Sequence, residues 1–351
     1  MRELAHKLTW RGPSPSDERF LSVFMDQNNK CNLRCLMCGF SDSRVAALPK
    51  YDMPRRLFDR IAAEVFPRTN YVCLSILTEP FMTRDFPERL DVVRRYAIPF
   101  SELITNGTLL TETICGQIVE AQLSRIIFSI DGGTKEVFES IRLGASFERV
   151  IGAFQMLRRI RGTSPLPVLR FNHVLSDLNV DHFQEFLELV RRLQPEEIAV
   201  RTISRMSNAP LQEPSDPVFW SKVRTIRVAL AEFCATTGIR DAAYLRDRPT
   251  PIDVFMDTGE KLICRKPWDT LAIHPNGDVY PCMAWTREPV GNLASNTFDE
   301  IWNAPPLTAL RLEFEDVQPG VDCLNCTIRR HPEKDPDDDF FYRKLARPYP
   351  S

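Results

Sequence analysis

Long apolar runs are missing from this chain. Met1 to Pro13 holds no run of signal-peptide length, and no later segment approaches the roughly 20 apolar residues that span a bilayer. A cytoplasmic protein without a membrane partner is the expectation. A surplus of charge of one sign is missing too. Formal net charge is −2 over 351 residues, from 45 basic and 47 acidic side chains. The Lys and Arg residues are dispersed, so the basic footprint of nucleic-acid binding is lacking and a polynucleotide substrate drops in rank. What the chain does hold is enough apolar residues for a full core, 43%, and ten cysteines. A reducing compartment keeps thiols apart and a domain of this size needs no staples, so metal binding or catalysis is considered before disulfides.

Apolar runs of strand length recur, each followed by a segment of helical periodicity, which is the signature of βα units and a parallel sheet. Strands are expected over Phe20–Met25, Tyr71–Leu77, Glu102–Thr105, Arg125–Ile130, Pro167–Val174 and Glu197–Ile203. Helices are expected between them, over Arg55–Phe66, Phe86–Tyr96, Thr111–Ala121, Phe147–Ile160 and Asp181–Leu193. The fold class is therefore α/β, a partial barrel of six βα units, because a closed barrel needs eight strands. Its chemistry belongs at the C-terminal strand ends. After Ser204 the pattern turns to Pro-rich loops and one helix near Phe219–Thr237. Asn276-Gly277 then signals a hairpin within Thr270–Cys282, since both residues tolerate positive φ, and a last helix covers about Thr297–Phe314. The expected organisation is a segment 1–19, the barrel 20–205, a linker with a helix 206–260, a small α+β domain 261–330 and a flexible tail 331–351.

Cys31, Cys35 and Cys38 follow the first strand with three and then two residues between them. Three thiolates at this spacing can cap three irons of a cubane and leave the fourth open. Zinc would need a fourth ligand, and this loop offers no nearby His or Cys. The triplet resembles the motif of the radical S-adenosylmethionine (SAM) superfamily, and further matches follow in order on successive strand ends. Glu79-Pro80 resembles that family's Gly-Gly-Glu-Pro segment without its glycines, and the resemblance makes Glu79 the acceptor of the SAM amino group. Thr105-Asn106-Gly107 resembles its Thr-Asn-Gly turn. Ser129-Ile130-Asp131-Gly132, with Arg142 downstream, resembles the segment that contacts the SAM ribose and carboxylate. Ser129 and Asp131 share one strand face, as do Ile104 and Asn106, and that face is expected to be the lumen. Met37 stands where many relatives place an aromatic beside the adenine. The resemblance implies one [4Fe–4S] cluster, SAM, a 5′-deoxyadenosyl radical, and an external one-electron donor such as flavodoxin or ferredoxin.

Cys264, Cys282, Cys323 and Cys326 form a second set. It resembles the SPASM/twitch extension of radical SAM enzymes, and four thiols rather than the longer set imply the shorter, twitch-like form with one further [4Fe–4S] cluster. A Cys₄ zinc site has the same ligand count. Filling every iron site leaves no place for substrate, so an electron relay is the simpler role. Cys73, Cys115 and Cys234 suit buried small hydrophobes. Cys73 shares strand parity with Glu79, faces the lumen on that basis, and is a candidate hydrogen-atom donor.

Cluster count and the Cys264–Cys282 spacing resemble twitch-type dehydrogenases. That implies oxidation of a small, sugar-like molecule, with Arg170, Asn172 and Arg201 as lumen candidates for positioning a hydroxyl or relaying its proton. The alternatives are a peptide maturase, a radical epimerase and a non-enzymatic iron–sulfur redox partner. Peptide maturases often carry a leader-recognition domain ahead of the core, and only thirty residues precede Cys31; a pure redox partner has no need of Glu79, Asn106 or Ser129.

Overall fold

The computed structural model describes residues 19–203, 209–242, 266–285, 287–315 and 323. Six parallel strands run side by side in chain order: β1 (Leu21–Met25), β2 (Thr69–Cys73), β3 (Phe100–Thr105), β4 (Arg125–Ser129), β5 (Val168–Leu175) and β6 (Glu197–Thr202). Helices over Arg55–Val65, Phe86–Arg95, Glu112–Glu120, Phe147–Arg161 and Phe183–Leu193 connect them. Two of them start where a short polar side chain satisfies an orphan N–H, Thr111 accepting from Ile114 and Ser146 from Arg149, and Thr134 accepts from Val137 at the start of a further short helix, Lys135–Ile141.

Strand alternation separates two faces. Val72, Leu103, Ile126, Phe128, Leu169, Phe171, Ile198 and Val200 pack outward against the helices in the main core. Phe154, from the helix after β4, tilts against Phe128 at 5.4 Å and Phe171 at 4.7 Å, and each such buried ring contributes about 1.5–3 kcal/mol by leaving water. The intervening positions line a lumen: Tyr71 and Cys73 on β2, Glu102 and Ile104 on β3, Arg125, Ile127 and Ser129 on β4, Arg170 and Asn172 on β5, Glu197, Ala199 and Arg201 on β6.

The sheet is wider than six strands. A short β7 (Arg240–Asp241) pairs parallel with β6. On the other side β8 (Thr270–Ile273) pairs parallel with β1, Ser22 opposite Thr270 and Met25 opposite Ile273. β8 and β9 (Asp278–Tyr280) form the expected hairpin, with Gly277 at φ 92° and the Asn276 side chain accepting from the Asp278 N–H. β10 (Gly291–Asn292) adds to β9. The C-terminal hairpin thus continues the barrel wall next to β1.

Two elements differ from the sequence expectation. The second strand ends at Cys73, not Leu77. Asp26, fully buried just beyond β1, accepts the backbone N–H groups of Ile76 (2.8 Å), Leu77 (3.1 Å) and Thr78 (3.3 Å) and the Thr78 hydroxyl (2.9 Å), so residues 76–78 fold over a carboxylate instead of extending the strand. The last helix is two, Phe298–Trp302 and Pro305–Glu315. Pro305 and Pro306 have no N–H to continue a helix, but both are tolerated in a first turn. The tail after 330 lies outside the described residues, as does all but the last residue of the segment 1–19.

Candidate active site

The cysteine loop leaves β1 and is tied down at both ends. The Asn28 amide donates to the Glu79 carbonyl (3.0 Å) and to the Thr83 hydroxyl (2.7 Å), and the Glu79 N–H donates to the Lys30 carbonyl (2.9 Å). Further on, the Arg34 and Leu36 N–H groups donate to the carbonyls of Leu143 and Ile141, both at 2.9 Å. Cys31, Cys35 and Cys38 are held between these ties. Burial, with the neighbouring thiols adding, pushes Cys31 up to about 12 and Cys38 up to about 11; burial also raises Cys35, against the pull of Arg142. Thiols so placed give up their protons when a cation arrives to compensate. Among the described residues no three His, Cys, Asp or Glu side chains converge on a single ion, and a cubane does not ask them to, because each thiolate binds its own iron.

Around this loop the matched segments meet. Glu79 is buried, accepting the Thr105 hydroxyl and the Asn106 N–H, both at 2.8 Å, and burial pushes its carboxyl up to about 7. Pro80 opens the turn Pro80–Met82 that Glu79 caps. The Asn106 amide lies 2.9 Å from Asn32 Oδ1 and 3.9 Å from Cys31 Sγ. Gly107 turns the chain at φ 76°, where a Cβ would press on Phe128 at 3.1 Å. Asp131 Oδ1 accepts the Val174 N–H at 2.8 Å, while its Oδ2 pairs with Arg142 at 2.6 Å, and Arg142 Nη1 reaches Cys35 Sγ at 3.9 Å. Ser129 ends β4 on the lumen side, and Met37 is half-buried in the cysteine loop. Three neighbouring thiols, a buried carboxylate and a guanidinium touching a thiol form a donor set that fits a cubane with a chelating amino acid on its open iron.

The lumen floor is a buried ionic network that sequence reading missed, although charged residues at lumen parity inside strands were its signal. The Tyr71 hydroxyl donates to Glu102; Arg125 donates to Glu102 (2.9 Å) and Glu197 (2.9 Å); Arg240 also pairs with Glu197. Arg170 sits over Glu197 at 3.4 Å and donates to the Ala242 carbonyl at 3.2 Å; burial, and then Arg125, lower it to about 10. Cys73 is buried on this face, its thiol donating to the Ser75 carbonyl at 3.0 Å, and burial raises it. Two other features had no sequence signal: the Asp26 clamp, and the Pro-rich segment after the barrel, where the Leu211 N–H donates to the Leu36 carbonyl at 3.0 Å.

Cys282 and Cys323 pack against one apolar patch, Ala272, Tyr280, Trp285, Leu307 and Leu310, which also receives Phe24 of β1 and Ile76. Cys264 and Cys326 lie outside the described residues. None of the described cysteines is in a disulfide. No helix of the described residues is long and apolar enough to cross a membrane.

Comparison with known proteins gives the class. Residues 28–190 match the radical SAM superfamily, and residues 264–327 match SPASM, an iron–sulfur cluster-binding domain. The chain thus carries a radical SAM domain followed by a SPASM domain and is a radical SAM enzyme, with SAM and iron–sulfur clusters as its cofactors. It is 25% identical over 302 residues to an AdoMet-dependent heme synthase of Methanosarcina barkeri, covering 80% of this chain and 82% of that one. It is 24% identical over 317 residues to the mycofactocin maturase MftC of Mycobacterium ulcerans, covering 84% and 77%. In fold it resembles Streptococcus suis SuiB bound to S-adenosylmethionine (TM-score 0.65, 14% identity, 88% of this chain and 71% of that chain). It likewise resembles anSMEcpe with bound AdoMet (TM-score 0.63, 16% identity, 93% and 96%).

Glu79 gives a testable pH dependence. Burial pushes its carboxyl up to about 7, and if Glu79 meets the SAM ammonium the attraction would require the ionised form. SAM affinity of the anaerobic holoenzyme, measured by equilibrium dialysis, should fall as pH drops below 7. Glu79→Gln should flatten that profile and bind SAM about tenfold or more weakly at pH 8, the equivalent of a lost charge-assisted hydrogen bond of about 1.5–3 kcal/mol. A wild-type profile without slope would remove Glu79 from the SAM site.

Proposed function

We propose that this enzyme abstracts a hydrogen atom from a substrate held in the barrel lumen and passes the electron left on the substrate to one [4Fe–4S] cluster of the C-terminal domain. A proton leaves the substrate with that electron, to solvent or to a lumen base, so the net result is a two-electron oxidation. The observation that carries the reading is the parallel pairing of β8 with β1. Through it Cys282 and Cys323 share an apolar patch with Phe24, and Phe24 contacts the lumen residue Tyr71 at 5.4 Å between rings. A ligated auxiliary cluster next to the lumen wall suits electron acceptance. Bound at the three thiols of the cysteine loop, the other cluster and SAM supply a hydrogen-abstracting radical, fed by an external donor such as flavodoxin or ferredoxin. Glu79 receives the SAM amino group; Arg142, fixed by Asp131, takes its carboxylate; Asn106 and Ser129 complete the cradle, with Met37 beside the adenine.

A small, sugar-like molecule is the substrate class that the four-cysteine pattern favours. A peptide is the second reading, supported by the relative named a mycofactocin maturase, which aligns with most of this chain. One experiment addresses both. The reduced holoenzyme is incubated with SAM and either a metabolite extract or a library of short peptides, and products are read by mass. The expected product is lighter than its parent by two hydrogens and forms in equal amount with 5′-deoxyadenosine. A product of unchanged mass would replace oxidation with a redox-neutral reaction.

A further inference from the structure

We infer that the lumen holds its substrate by a carboxylate, bound by the Arg201 guanidinium at the end of β6 with the Asn172 amide beside it. The inference rests on the function proposed above, because it names the substrate class of that same site. Three cations stand on the lumen face of β4–β6, and their partners distinguish them. Arg125 is chelated by Glu102 and Glu197, and Arg170 is committed to Glu197 and the Ala242 carbonyl. Neither is available to a ligand. Arg201 makes no hydrogen bond or ion pair with any other described residue. It shares the face of Glu197 and Ala199, since Ile198 and Val200 between them belong to the helix-side core, and its charge is felt at Arg170. Arg201 is exposed at the end of β6, so a ligand can reach it, and a guanidinium without a carboxylate of its own offers a planar fork that matches a carboxylate.

Asn172 supplies an independent observation. Its Oδ1 is buried and accepts from no donor, and a buried acceptor in that state calls for an N–H or O–H partner. Asn172 pairs in register with Ser129 on one side and Ala199 on the other, while Arg201 pairs with Val174, one lumen position nearer the mouth. Strand spacing and rise put the Cα atoms of Asn172 and Arg201 roughly 8 Å apart, and the small Ala199 leaves room between them. The ligand that satisfies both carries a carboxylate a few bonds from an N–H or O–H group. A free N-acyl amino acid or hydroxy acid has this chemistry, and so has the C-terminus of a peptide. Either would lie next to Ser129, on the SAM side of the lumen.

Phenylglyoxal, which modifies open guanidinium groups, tests the site without any need for SAM cleavage or electron transfer, so failure here is separable from failure of the oxidation itself. The rate of modification at Arg201 is measured by peptide mass in the SAM-bound holoenzyme, with the solvent-facing Arg192 as internal reference. The probes are N-acetylglycine and its neutral amide, and a pentapeptide with a free or an amidated C-terminus. A saturating acid should slow the Arg201 reaction about tenfold or more, as a bidentate carboxylate pair implies, while both amides leave it unchanged. Protection by N-acetylglycine alone identifies a small acid, and protection by the peptide acid alone a peptide terminus. Equal rates with acid, amide and buffer would overturn the proposal, as would an Arg201 that fails to react when no acid is present.

Discussion

Replacing Cys31, Cys35 and Cys38 together by Ala is expected to abolish SAM cleavage and to remove about half of the iron, from about eight irons and eight sulfides per chain to about four of each, the content of one cubane. Deoxyadenosine formation under dithionite should drop to background. The size of the effect follows from chemistry: side chains do not supply the electron that cleaves SAM, whereas a cluster held by these three thiols would. The triple variant should still fold. The loop is tied to Leu143, Ile141 and Glu79 by backbone hydrogen bonds that the substitution leaves alone, and the thiols it removes are neutral in the absence of iron. Iron and sulfide analysis beside a thermal melt separates loss of cluster from loss of fold. A wild type that binds about four irons and one zinc would leave the barrel cluster intact and eliminate the auxiliary one.

Much of this molecule was legible in its sequence because the signals were local. The βα period, the cysteine spacing and the polar residues at strand ends each depend on residues a few positions apart, and the six central strands appear within about two residues of their expected starts. The hairpin at Asn276-Gly277 was legible for the same reason: its positive φ is a property of one residue. What was not legible depends on partners far along the chain. Asp26 reads as one more acidic residue after a strand, and only the fold shows three amide donors 50 to 52 positions away converging on it. The pairing of β8 with β1 joins segments nearly 250 residues apart, with no motif at either end to announce it. Arg170 and Arg201 looked equivalent at the same parity on adjacent strands; Glu197 makes the difference, by claiming one and not the other.

The auxiliary cluster has the other large expected effect. In a Cys323→Ala, Cys326→Ala variant that keeps the barrel cluster, SAM cleavage with substrate should persist, while oxidised product per deoxyadenosine should fall below about a tenth of the wild-type ratio, a barrier change of more than about 1.4 kcal/mol in the partition of the substrate radical. On the proposed reading, abstraction and oxidation would be separable because they would use different iron centres: one at the cysteine loop beyond the C-terminal end of β1, the other at the patch of Cys282 and Cys323 that Phe24 joins. Without an acceptor, the substrate radical is left to recover a hydrogen atom. Cys73 is a candidate source by strand parity, and burial raises its thiol, favouring the protonated form that can donate one. A variant lacking the second cluster but making product at the wild-type ratio would therefore assign that cluster a structural role. A product of unchanged mass, by contrast, would shift the chemistry to a redox-neutral outcome such as epimerisation, with the Cys73 S–H as candidate hydrogen donor and Cys73→Ala as the substitution that then stops it.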